Sequence, residues 1–108
     1  MSLDVLQRFL LDDLDIRGAV VRLGPVWRRI IADRHYPEPV NRLLGEMCVT
    51  SLFVTEALKQ PGRVTFQVRG TGPVSLLVVD CDERLNLRAL AQSGDDIEQG
   101  TARTLLGD

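Results

Sequence analysis

Thiols are scarce in this chain: Cys48 and Cys81 are the only cysteines among 108 residues, and His35 is the only histidine. A structural zinc site takes four Cys or His ligands at closely paired positions, which these three residues do not supply. A disulfide between Cys48, expected in mid-helix, and Cys81, expected in a turn, is a poor fit to a reducing cytoplasm. It would also need the two Cα atoms to lie within about 7 Å. An excess of positive charge is missing as well. The net charge is −2 and the pI 5.3, which argues against nucleic acid as a partner, since phosphate binding needs a basic field. No apolar run is long enough to cross a bilayer, so no membrane partner is expected. Asp4, Asp12, Asp13 and Asp15 stand where a secretory leader would carry basic residues and an apolar stretch. The expected location is cytoplasmic. No repeat and no low-complexity segment is present.

What is there is a balanced globular composition, 44% hydrophobic and 26% charged. It fits a single domain over residues 1–108 that buries roughly 60–70% of its unfolded surface. Residues 16–23 read as a strand, with β-branched Val20 and Val21 and a glycine at Gly18 that marks a bend or bulge. After Gly24-Pro25, the residues Val26, Trp27, Ile30 and Ile31 recur at helical spacing, predicting a short helix to about His35. Tyr36-Pro37-Glu38-Pro39 is a proline-fixed entry to the central helix, since Pro suits a first helical turn. That helix is expected over residues 39–59, ended by Gln60-Pro61-Gly62. Val40, Leu43, Leu44, Met47, Val49, Leu52, Phe53, Val54 and Leu58 make it apolar on nearly every side, which calls for wrapping by the rest of the protein. Gly45 predicts a close packing partner at the helix backbone.

Three strands follow. Val64, Phe66 and Val68 alternate with polar residues, as on a sheet with one buried face. Residues 74–79 are apolar on both faces, as in a strand covered on each side. Leu85, Leu87, Ala89 and Ala91 form the third strand after an Asp80-to-Glu83 turn. The expected class is α+β, an antiparallel meander packed on a long buried central helix. Residues 93–100 read as an acidic loop and 101–106 as the start of another short helix.

Chemistry-bearing motifs are few. His35 beside Tyr36, with Asp33 as orienter and Cys48 or Ser51 as nucleophile, would be a catalytic set, but Cys48 and Ser51 fall in the apolar helix. Gly70-x-Gly72 precedes Pro73 and a strand, so it is a turn and not a phosphate cradle. No nucleophile elbow or paired-carboxylate site is present, so no catalytic residue is assigned. Trp27, Arg28, Arg29, Arg34 and Tyr36 could form a basic-aromatic patch, yet Trp27 sits on an apolar helix face. The acidic runs Asp12-Asp13-x-Asp15 and Asp95-Asp96-x-Glu98 lack a calcium-loop pattern and read as solvated loops. Cys81, between Asp80 and Asp82, should have its thiolate disfavoured by the adjacent negative charge.

One stretch, Tyr36-Pro37-Glu38-Pro39-Val40-Asn41-Arg42-Leu43-Leu44-Gly45-Glu46-Met47, resembles the N-terminal core of the redox-regulated thirty-three-kilodalton heat-shock chaperone family. Leu6 to Leu10, Ile16 to Leu23, the glycine-rich Gly70 to Leu76, Leu87 to Ala91 and Thr104 to Gly107 resemble further segments of that family in the same order. Ala89 follows Arg88 where the family would carry glycine.

The resemblance implies an ATP-independent holdase that binds unfolding client proteins through apolar surface. It also implies a zinc-binding switch of Cys-x-Cys and Cys-x-x-Cys, which this chain does not contain. The chain therefore reads as an N-terminal piece or a short relative without the zinc cofactor, whose client binding should ignore redox state. The family's core also implies later strands. Without them an edge strand and an apolar face should stand open and favour self-association. The second face of the middle and last strands, with Leu77, Val79 and Leu90, is the expected client-binding surface. The reading from another class is a structural oligomerisation domain with no client affinity of its own.

Overall fold

The computed structural model describes residues 4–32, 34–94 and 102–107. The chain begins with a hairpin of β1 (Val5–Leu11) and β2 (Ile16–Arg22), joined through a 3-10 turn at Asp12–Leu14. Two helices follow, α1 (Pro25–Ile31) and α2 (Glu38–Ala57). Then come β3 (Val64–Arg69), β4 (Val74–Cys81) and β5 (Leu87–Ser93), and last α3 (Ala102–Leu106). The three later strands form an antiparallel meander in the order β3-β4-β5, while β1 and β2 make a sheet of their own. The α+β class and the packing of the long helix on the meander are as expected. The sequence pattern does not predict β1, because Val5-Leu6 and Phe9-Leu10-Leu11 place apolar residues on both faces and erase the alternation that marks a strand.

The helix α2 enters through Pro37, whose carbonyl accepts from the amides of Val40 and Asn41 at 3.0 Å each. Its buried residues, Val40, Leu43, Leu44, Cys48, Ser51, Leu52 and Thr55, recur at three- and four-residue steps and form one stripe. That stripe meets Val74, Leu77, Val79 and Ala91 of the sheet to make the core. Phe53 and Val54 remain 37% and 39% exposed, so the helix is not wrapped on all sides. It also ends two residues before Lys59. Leu58 is already extended, and the residue before Pro61 is barred from helical geometry.

The indole of Trp27 packs on the helix at Gly45, 3.5 Å from where a Cβ would stand, an ordinary contact distance that does not by itself require glycine. The helix α1 starts at Pro25 itself and stops at Ile31, short of the expected His35. Ala32 is extended, and His35 takes a left-handed φ of 55°. Asp4 accepts from the amides of Gly24 at 2.8 Å and Val26 at 3.2 Å. Through it the start of the hairpin is tied to the first turn of α1.

Strand β3 buries and exposes alternate residues, as its sequence predicts. Strand β4 also alternates. Leu77, Val79 and Cys81 are fully buried toward α2, while Leu76 and Val78 on the other face are half-buried. The expectation of a strand covered on both faces is thus corrected. Leu85 lies in the β4–β5 turn with a left-handed φ of 64° and is not part of β5. Asp82 organises that turn by accepting from the Arg84 and Asn86 amides at 2.9 Å and the Asn86 side chain at 3.1 Å. Gly18 makes no bulge, as the β1–β2 register runs without a shift from Val5↔Arg22 to Leu11↔Ile16. The ring of its partner Phe9 occupies the space a Cβ would need. Gly70 and Gly72 turn the chain, and they also let the backbone of α3 approach. The carbonyl of Leu106 accepts from the Thr71 and Gly72 amides at 2.7 and 3.0 Å.

Candidate binding surface

Register separates the three residues expected to bind clients. Leu77 pairs with Ala91 and Val79 with Ala89, whereas Leu90 pairs with Val78. Directly paired residues point to the same face, so Leu90 faces away from the other two. Leu77 and Val79 are 0% exposed, packed under α2. Neither side chain is open to solvent in the described structure. The outward face of the meander carries Leu76, Val78 and Leu90, bordered by Thr65, Gln67 and Arg69 of β3.

The larger apolar surface lies elsewhere, on the hairpin to which sequence reasoning assigns no role. Val5, Phe9, Leu11, Ile16 and Val20 share its outward face and are 41–56% exposed, and Leu14 at the turn is 66% exposed. A two-stranded ribbon has little to bury against, and its inward Leu6, Ala19 and Val21 are no more than half-buried. The signal is present in the density of large apolar residues between Val5 and Val21, but no periodicity points to a strand at β1.

Between the inward face near the hairpin tip and the C-terminal end of α2 lies a groove of about 810 Å³. Leu10, Ala19, Phe53 and Leu58 give it an apolar lining, and Arg17 and Lys59 line it as well. Arg8 donates to Glu56 at 2.9 Å across the junction. Arg8 is three-quarters exposed, so the pair contributes little stability.

The remaining candidates do not converge. Cys48 and Cys81 are buried and free. Burial, and after it the neighbouring Cys81 sulfur, pushes the Cys48 thiol up to about 12. The Cys81 thiol is raised chiefly by burial, then by Asp82 and Asp80, against a lowering hydrogen bond with Thr55. The direction agrees with the sequence reading, but burial, not the flanking aspartates, is the main cause. Both thiols are therefore poor nucleophiles and poor metal ligands. Ser51 is fully buried and donates to the Met47 carbonyl at 2.8 Å. His35 is exposed, and Asp33 lies outside the described residues. Tyr36 uses its hydroxyl to accept from the Ala91 amide at 3.1 Å, covering the free edge of β5. Trp27 is turned onto Gly45 and the core, so the basic-aromatic patch is not assembled. Among the described residues no three His, Cys, Asp or Glu side chains stand together to hold a metal. The donor set at Cys48 and Cys81 does not fit zinc. The acidic run at residues 95–98 lies outside the described residues. No helix among the described residues is long and apolar enough to cross a membrane.

Comparison with known proteins adds a lineage to this geometry. Residues 4–107 match the family described as Hsp33 protein. The 33 kDa chaperonin of Aliivibrio fischeri (strain MJ11) is 40% identical over 108 residues, covering 99% of this chain and 37% of the relative. That of Pseudoalteromonas translucida is 36% identical over 107 residues, with 99% and 38% covered. That of Chromobacterium violaceum is 39% identical over 105 residues, with 97% and 36% covered. The chain thus spans little more than a third of the length of these relatives. By these matches the chain belongs to the Hsp33 family.

Proposed function

We propose that this chain holds unfolding proteins without ATP by burying their apolar segments on its hairpin and on the end of α2. The observation that carries the reading is the exposure of Val5, Phe9, Leu11, Ile16 and Val20 together on one face of the ribbon, with Leu14 at its turn. Monomeric soluble proteins rarely leave such contiguous apolar area open unless it binds something. Membership of a family whose relatives are named chaperonins supports it. The energetics need no catalytic residue, because each Å² of apolar surface removed from water contributes about 25 cal/mol. The charged residues interspersed with that surface keep the complex in solution. Neither buried thiol is placed to sense an oxidant, so binding is independent of redox state. The cytoplasm is the expected site of action, and neither nucleic acid nor a membrane is an expected partner. Leu90, with Leu76 and Val78, is a second and smaller client surface in this reading.

The test is light scattering of a heat-unfolding client with and without this chain, in reducing and in oxidising buffer. Equal suppression in both buffers is expected, and no suppression in either would refute the proposal. The other reading, a structural oligomerisation domain, draws on the same hairpin and on β3, which has no strand on its outer side among the described residues. It predicts a stable oligomer that binds neither a hydrophobic dye nor unfolded peptide.

A further inference from the structure

The groove between hairpin and helix joins an apolar lining to an ionic one in which cations outnumber anions. Its ionic lining is Arg8, Arg17, Lys59 and Glu56, and the Arg8–Glu56 pair satisfies one cation with the one anion. Arg17 and Lys59 are left, both exposed, beside an apolar lining of Leu10, Ala19, Phe53 and Leu58. Among the described residues no carboxylate forms an ion pair with either of them. A volume of 810 Å³ is that of a pocket for a few side chains, too small for the surface of a folded domain.

We infer that this groove takes a short extended polypeptide segment whose apolar side chains are flanked by Asp or Glu. The inference rests on the holding function proposed above and adds selectivity to it. The apolar side chains fill the space over Phe53 and Leu58, and the carboxylates meet Arg17 and Lys59. An otherwise identical segment flanked by Lys places like charges together and is disfavoured.

The experiment is fluorescence anisotropy of two labelled peptides with one apolar core, one flanked by Glu and one by Lys, at low salt. The Glu-flanked peptide is expected to bind about fivefold tighter, the scale of two exposed charge pairs. The double variant R17E/K59E should reverse that order. Because both side chains are exposed, folding is retained, which far-ultraviolet circular dichroism verifies. Arg63→Glu, just before β3 and not part of the groove lining, should leave the order unchanged. Equal binding of both peptides, or a preference that survives the double variant, overturns the inference while leaving the holding function standing if aggregation is still suppressed. A dimer that R17E/K59E dissociates, seen by sedimentation, also overturns it, since a second copy would then be the occupant.

Discussion

At the scale of single residues, two positions set local geometry through their backbone or charge. His35 holds a φ of 55° with an exposed side chain, so it has left-handed strain and little packing to lose. His35→Gly should raise stability by about 0.5–1 kcal/mol, read from the urea midpoint at unchanged slope. A decrease would mean that the histidine side chain makes a stabilising contact. Asp82 is a different case. Its carboxylate is held below the usual aspartate range, chiefly by the Asn86 amide and side chain. Because the folded pKa is the lower one, ionised Asp82 favours the folded state. That contribution is full above about pH 4 and fades as pH falls below it. The stability difference between the native chain and Asp82→Ala should therefore narrow progressively in acid. A gap that stays constant down to about pH 2, well below the ordinary aspartate range, would rule out this role.

At the scale of elements, the junctions matter more than the elements themselves. The turn between β3 and β4 accepts α3 only because Gly72 lacks a side chain. A Cβ there would lie 2.6 Å from the Leu105 carbonyl oxygen and 2.9 Å from the Gly107 nitrogen. Both are backbone atoms that cannot rotate away. Gly72→Ala should detach α3 at a cost of about 1–3 kcal/mol. Hydrogen exchange should show the Thr71 and Gly72 amides losing protection while β3 and β4 keep theirs, and unchanged protection of those two amides would refute the docking. The sequence marks this segment as a turn because Gly and Pro punctuate chains locally. That the turn is also a seat for α3 depends on a partner distant in sequence, which local pattern does not encode. Asp4 capping α1 is hidden for the same reason.

At the scale of the whole molecule, the question is which apolar residues are inside. Leu77 and Leu90 are both leucines in adjacent strands, yet one is fully buried and the other faces away from the core. Leu77→Asp should unfold the protein, since it buries an unpaired charge and removes core contacts, a loss of more than about 4 kcal/mol. Leu90→Asp should leave the thermal midpoint within a few degrees of the native value. If both variants stay folded, the β4–β5 register that separates the two leucines is wrong. Charged substitutions on the outward hairpin face, such as Phe9→Glu with Val20→Glu, should keep the meander core and weaken client holding severalfold. Full suppression of client scattering by that variant would move the binding surface elsewhere.

The class, the central helix and the meander were all legible before any packing was known. Helical and strand periodicities are local, and the Pro37-Glu38-Pro39 entry and the Gly and Pro breaks bound them within a few residues. Gly45 likewise pointed to a neighbour at the helix backbone, and Trp27 packs there, although at a distance that leaves room for a Cβ. The order of the motifs was enough to suggest the family. Which face of each strand is buried was a matter for the assembled fold, since shifting the pairing by one residue exchanges the two faces. That choice put Leu77 and Val79 inside and separated them from Leu90. The assembled fold also made Val5–Leu11 a strand whose apolar residues stand in solvent. Hydrophobicity along a chain reports what can be buried, and only packing determines what is.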